Sequence, residues 1–480
     1  MARSTSLGGG GSRTLRNTAL VLAARVVSRL LAFAAIVVII RHLAAGGMGA
    51  FQFVVSVTGV VTVVLDLGFN TLFQREAARH RDQISRYLSN LISVRVLSAL
   101  VALGVLSGIL WAKGAQAYIV PGFLMMVLAS YATLLRGTLY AVQRLGFEAM
   151  AIVLETVVLL GAVVYGAMTG RGAGYYLWAY AISYGFSCVY FVVVLTARRM
   201  ARIGWRLEPL LVREWLWKGL PFALTFLITG IYFKVDGPIL TFVRGYSENG
   251  YYAAAYKPFE ALLFVPQTML SVVFPVLAVL HRENGERVGW AVERFYKVLL
   301  LLGWPITIGT FMLTPAFRVV YSYELAAPAL RVLAVGIVFM FVNNAFIGAL
   351  NSADRQVSFT WAAFWSMVIN LALNGVLIPL FGYMGAAVAT VLTEIALAAM
   401  CWVLTARHLG RLPLFQLSWR IVVAGLVMGL VLIPLRDVTG WPALLVIAGA
   451  ATVYGAAVLA LRTFDAEEWA VVRRAVQVRT

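Results

Sequence analysis

The side chains in this sequence with chemistry to offer are charges set inside apolar runs: Arg25, Arg29, Arg95, Glu155, Lys234, Asp236, Lys257, Glu260 and Glu394. A Lys or Asp at the centre of a membrane span costs ~2.5–3.5 kcal/mol, while each Leu, Ile, Phe or Val returns only ~0.3–0.6, so one charge offsets about six apolar residues. Such groups face a protein interior or a wet cavity, not lipid. Guanidinium and ammonium groups in a low-dielectric cavity bind phosphate oxygens well, and carboxylates beside them can hold a proton or sodium ion or keep the cations poised.

Spacing refines these roles. Arg25 and Arg29 are four residues apart, ~40° around a helix, and make a joint cationic face, although Arg25 also suits snorkelling to the cytoplasmic surface. Arg95 and Glu155 lie about two turns into their runs. Lys257 and Glu260, three apart, can neutralise each other, whereas Lys234 and Asp236, two apart, diverge by ~160° on a continuous helix. Asp66 and Arg136 stand at span ends, where a structural role is expected. Asn343, Asn344, Asn370 and Asn374 add buried amides, and Pro238, Pro258, Pro266 and Pro275 permit bends next to the charges.

The elements that position these residues follow from composition. A chain of 480 residues, 62% hydrophobic and 12% charged, leaves too little polar surface for a set of soluble domains. It is expected to be an all-α polytopic membrane protein. About fourteen runs are long enough to span, from Thr18 to Ile40 through to Trp441 to Leu461. Alternate gaps and the two tails hold about 26 Lys and Arg, against about 7 in the other gaps, which predicts both termini in the cytoplasm. The net charge of +19 is therefore a matter of topology and anionic lipid, not of nucleic acid.

The long basic gap at 197–218 predicts the division of the chain. Residues 1–17 are expected to be a disordered cytoplasmic tail, 18–196 and 219–405 two six-helix bundles, 406–461 a further helix pair, and 462–480 a cytoplasmic tail. The bundles are weakly alike: Arg41, Gly49 and Phe51 after the first span parallel Arg244, Gly250 and Tyr252 after the seventh, and Gly170 to Gly174 parallels Phe381 to Ala386. Repeated halves in a membrane protein point to a transporter. Gaps too short to fold into a domain, and the lack of a phosphate loop, a His-Glu metal spacing or a nucleophile turn, argue against an enzyme. Cys188 and Cys401 lie in apolar runs and indicate neither a disulfide scaffold nor a metal cluster.

Several stretches resemble the O-antigen and polysaccharide flippases of the multidrug/oligosaccharidyl-lipid/polysaccharide exporter superfamily. These are Lys234-x-Asp236, Gly250-Tyr251-Tyr252-x-Ala254-x-Tyr256-Lys257 with Pro266 and Phe274-Pro275, Leu65-Asp66-Leu67-Gly68-Phe69 with Arg75, and Asn370 and Asn374 with Ile378-Pro379-x-x-Gly382-x-x-Gly385-Ala386. The resemblance implies two six-helix bundles around a central V-shaped cavity in a monomer of the cytoplasmic membrane. It also implies alternating access that carries a polyprenyl-diphosphate-linked oligosaccharide to the outer leaflet, with no cofactor, coupling to H+ or Na+, and polysaccharide assembly proteins as further partners. Arg25, Arg29, Arg95, Lys234 and Lys257 are the expected diphosphate ligands. Glu155, Asp236, Glu260 and Glu394 are expected to couple an ion or balance the cations. A lipid II flippase and a drug exporter of the same superfamily are the alternatives, the latter disfavoured because cations at least equal carboxylates.

Overall fold

The computed structural model describes residues 8–283, 285–320, 323–410, 412–465 and 468. Among the described residues there are sixteen α-helices and no strand. They are α1 (Gly8–His42), α2 (Ala45–Asp66), α3 (Phe69–Arg79), α4 (Ile84–Ala112), α5 (Ile119–Ala141), α6 (Leu145–Met168), α7 (Ala173–Ala197) and α8 (Pro209–Lys234). There follow α9 (Asp236–Arg244), α10 (Tyr246–Leu262), α11 (Phe264–Glu283), α12 (Gly285–Met312), α13 (Ala326–Ser352), α14 (Gln356–Leu409), α15 (Leu414–Leu432) and α16 (Pro442–Ala460).

Among the described residues, thirteen helical segments are long and apolar enough to cross a membrane. The longest, α14, has 54 residues, ~80 Å of helix against a hydrocarbon core of ~30 Å, and must cross twice. Its interruption is Gly382, at φ 58° and ψ −135°, a conformation that a Cβ makes very costly. With this break the candidate spans among the described residues number fourteen, in keeping with the roughly fourteen runs in the sequence.

Packing divides the chain into two compact units, Met1–Gly250 and Tyr251–Thr480. The division falls one span later than the basic gap at 197–218, for a reason visible in that gap. Residues 201–208 run without regular structure across α4, whose side chains satisfy the backbone donors of the strap. Arg202 N–H donates to Ser85 Oγ (2.9 Å), Arg206 N–H to Ser93 Oγ (3.1 Å) and Glu208 N–H to Asn90 Oδ1 (2.7 Å). Ala201 is buried in the same core as Phe69, Leu88, Phe191 and Trp215, the last of these on α8. The strap is therefore part of the first unit, and it carries α8 with it to pack on α2 and α3.

In the first unit α1 packs along α6, α5 along α7, and α2 against α4, α5, α8 and α9. In the second, α13 is the buried centre, with α11, α12 and α14 around it, α15 on α12 and α16 on α15. Many large apolar side chains on the outer faces are exposed, Leu100, Val189, Leu210 and Leu445 among them, as bilayer-facing surfaces require. Of the expected N-terminal tail, residues 1–7 lie outside the described residues, and from Gly8 the chain is helical and continuous with α1. Once a long helix exists, each further residue adds a hydrogen bond without a new nucleation cost, so a polar stretch can extend it. Arg473 and Arg474 of the C-terminal tail also lie outside the described residues.

Candidate functional site

In the first unit Arg25, Arg29, Arg136, Glu148 and Glu155 stand on α1, α5 and α6 in two tiers, to which α7 adds Tyr184 and Ser187. Arg25 and Arg29 are one turn apart on α1, Tyr140 and Arg136 one turn apart on α5, and Glu148 and Glu155 two turns apart on α6. In the tier nearer the start of α1, Arg25 Nη2 donates to Tyr140 Oη at 2.5 Å and reaches Glu148 Oε1 at 3.3 Å, and Tyr140 donates to Glu148 in turn. Glu148 is fully buried, and its Oε2 has no hydrogen-bond partner among the described residues. Between the tiers, Ser28 of α1 and Thr156 of α6 share a 2.6 Å hydrogen bond that fixes the register of the two helices.

In the second tier Arg136 Nη2 donates to Glu155 Oε2 at 2.9 Å, and Ser187 of α7 donates to the same oxygen. Tyr184 of α7 lies within the electrostatic reach of Glu155, Arg136 and Arg29. Arg29 is exposed, whereas Arg136 is only partly so. Three guanidinium groups and two carboxylates therefore share one side of the unit, a net cationic arrangement suited to an anion.

Arg95 is placed differently. It is completely enclosed, with Nη2 donating to Asp66 Oδ1 (2.9 Å) and Asn70 Oδ1 (2.7 Å), and Nη1 donating to the Ser130 carbonyl. These contacts tie α4 to the α2–α3 turn and to α5, and leave the guanidinium no open side.

Lys234 and Asp236 also belong to the first unit. A divergence of ~160° holds on one continuous helix, whereas helix α8 ends at Lys234 and α9 starts at Asp236, on either side of Val235. Pro238 makes this break local, because its missing N–H falls in the first turn of α9, where no intrahelical partner is needed. Asp236 is buried at the N-terminus of α9, the end of a helix dipole that favours a carboxylate. The half-buried aliphatic stem of Lys234 runs over Gly59 of α2, 3.7–3.8 Å from where a Cβ would stand.

The second unit has its own polar set. Lys257 Nζ donates to Glu260 Oε2 at 2.8 Å, so these two do meet along one face of α10. Asn343 of α13 donates to Glu394 Oε2 of α14 at 2.8 Å. Asn374 donates to Asn370 Oδ1 at 3.0 Å, and Asn370 to Thr393 at 3.5 Å. Pro266 explains why α10 and α11 part at Leu263, since it again occupies a first turn, that of α11.

Three members of the first-unit cluster were missed or given a lesser role from sequence. Arg136 was read as structural because it stands near a span end, and Tyr140 and Glu148 were passed over. The available signal was the four-residue spacing of Arg136 and Tyr140 and the seven-residue spacing of Glu148 and Glu155, which set each pair on one helix face as for Arg25 and Arg29.

Comparison with known proteins agrees with this architecture. A probable low-salt glycan biosynthesis flippase of Haloferax volcanii, Agl15, is 23% identical over 85% of this chain and 87% of its own. An uncharacterised membrane protein of Methanocaldococcus jannaschii, MJ1068, is 27% identical over 33% of this chain, and the match covers about a third (32%) of that relative. Among solved structures, a lipid II flippase MurJ in an inward closed conformation matches with a TM-score of 0.76 at 15% identity, over 92% of this chain and 98% of that one. An inward-facing multidrug resistance transporter of the MATE family, in the MOP superfamily, matches with a TM-score of 0.65 at 14% identity, over 80% and 94%. Residues 14–281 match the family model described as polysaccharide biosynthesis protein, and with more than half of its length so matched the chain belongs to that family.

Proposed function

We propose that this protein moves a polyprenyl-diphosphate-linked oligosaccharide from the cytoplasmic to the outer leaflet of the cytoplasmic membrane by alternating access, with both termini in the cytoplasm. The observation that carries the reading is the two-tier cluster on α1, α5, α6 and α7, where guanidinium groups outnumber carboxylates inside a bundle of apolar helices. A diphosphate is the part of such a substrate that most needs compensation in a low-dielectric setting, and arginine suits it through paired hydrogen bonds. That a full-length relative is named as a glycan biosynthesis flippase supports the same substrate class.

In this reading Arg25, Arg29 and Lys234 of the first unit contact the diphosphate, and Lys257 is a further cation of the second unit. Glu155, Asp236, Glu260 and Glu394 hold the cations poised and take up the coupling H+ or Na+. Arg95, enclosed and paired with Asp66, holds α2, α4 and α5 together. The test is leaflet transfer in liposomes containing the purified protein and defined polyprenyl-diphosphate glycans. Arg29→Ala and Lys234→Ala should each slow transfer at least tenfold at equal protein. Transfer at the wild-type rate in both variants, or no preference for the diphosphate over a neutral polyprenyl glycan, would overturn the assignment.

A further inference from the structure

A separate cavity of about 700 Å3 lies entirely within the second unit, at the end where α12 finishes, α13 begins and Gly382 breaks α14. Its walls are two helical stripes. Pro328, Arg331 and Val335 recur along α13, and Met384, Val388 and Leu392 along the second part of α14. Each stripe runs ~12 Å at 1.5 Å per residue, comparable with the ~15 Å depth of hydrocarbon in one leaflet. Val335 and Leu392 are among the exposed large apolar residues, so the trough is open along this side.

The rim of the trough is cationic. Arg331 stands five residues into α13, ~7 Å from its start, which is headgroup depth for a span. Its guanidinium lies over the Phe311 ring, 5.9 Å from the centroid, and among the described residues it has no carboxylate partner. Arg318 forms the other side of the rim and pairs with Glu324 at 3.2 Å, but both side chains are largely exposed. An ion pair so exposed contributes little and yields readily to a stronger anion. Two guanidinium groups over an apolar trough complement an anionic headgroup carrying a long hydrocarbon chain.

We propose that this trough is a binding site for an anionic phospholipid, with Arg318 and Arg331 on the phosphate and one acyl chain lying between α13 and the second part of α14. Phospholipid is the occupant that charge and access favour, because the trough opens on exposed apolar side chains of the kind a bilayer covers, and a bilayer supplies that molecule in excess. The proposal does not depend on the transport reading.

Native mass spectrometry after extraction from liposomes of equal phosphatidylglycerol and phosphatidylcholine tests it. The wild type should retain phosphatidylglycerol selectively. The exposed double variant Arg318→Gln/Arg331→Gln should retain about tenfold less, in keeping with the loss of two charge-assisted contacts. Val388→Trp, which fills the trough with the arginines intact, should lose the lipid similarly, while Arg436→Gln, an exposed arginine outside the trough, should retain it. Thermal unfolding of each variant verifies that it is folded, and the double variant, altered only on its surface, decides the question if Val388→Trp is not. Wild-type retention in both the double variant and a folded Val388→Trp, equal retention of the two phospholipids by the wild type, or displacement of phosphatidylglycerol by equimolar polyprenyl phosphate would overturn the proposal.

Discussion

Gly49 of α2 lies directly against the carbonyl oxygen of Tyr246 in the first turn of α10, so closely that a methyl group built on Gly49 would overlap it. The contact is reciprocal, since a methyl on Gly250 would overlap the carbonyl of Ala45. Asn249 Nδ2 adds a 2.9 Å hydrogen bond to the Gly49 carbonyl. The two glycines are the ones that occupy matching places in the weak internal repeat, and they are what lets these helix starts cross backbone to backbone.

Substituting either glycine should therefore separate the crossing. Gly49→Ala and Gly250→Ala should each destabilise the protein by about 2–3 kcal/mol, because the obstructing atoms are backbone and cannot rotate away. Gly104→Ala on α4, where the added methyl meets open space, should be neutral or gain up to ~1 kcal/mol. Thermal unfolding of the purified variants in one detergent checks the order.

The Arg95–Asp66 pair predicts a second asymmetry. Asp66→Leu leaves a completely enclosed guanidinium without its carboxylate and should cost about 3–5 kcal/mol, whereas Arg95→Met together with Asp66→Leu should recover much of that loss. A double-mutant cycle on unfolding midpoints measures the coupling. If Arg95 were instead a substrate ligand, the double variant would be stable yet inactive in leaflet transfer.

The turn that ends α7 and the strap after it carry Arg198, Arg199, Arg202 and Arg206, all sites for trypsin, yet the backbone of the strap is tied down. Removing one anchor with Asn90→Ala leaves the Glu208 N–H without its acceptor and should cost about 1–3 kcal/mol. Limited trypsin digestion should cut the variant faster than the wild type between Arg198 and Arg206. Equal cleavage rates would mean that the strap opens independently of Asn90.

Glu208 gives the strap a pH dependence. Hydrogen bonds from Arg86, then from Asn90, and the nearby charge of Arg206 pull its carboxyl down from the ordinary value near 4.5 to about 2, against a smaller opposing effect of burial. A carboxyl whose folded pKa is depressed binds more protons when unfolded. Its contribution is complete above about pH 4.5 and is lost as pH falls towards 2. Glu208→Gln should thus be less stable than wild type at pH 6, and the gap between the two unfolding midpoints should close progressively below pH 4.5.

The membrane class, the fourteen crossings and the charged residues that needed explaining were legible in the chain, because hydropathy and the cost of an intramembrane charge are local properties of a helix. Pairing within one helix was legible for the same reason, as Lys257 and Glu260 illustrate. What meets across helices was not. That Arg95 is locked to Asp66 while Arg136 joins Glu155 depends on which faces of α2, α4, α5 and α6 are turned together, and periodicity says only which residues share a face. Likewise the sequence of the basic gap at 197–218 does not say that Ser85, Asn90 and Ser93 hold it against α4. The stretch around Lys234 and Asp236 was conspicuous from its charges, but the break at Val235 and the packing of α8 on α2 assign both residues to the first unit. Composition and spacing thus identified most of the residues that bear charge inside apolar helices, and tertiary packing decided which of those charges meet one another.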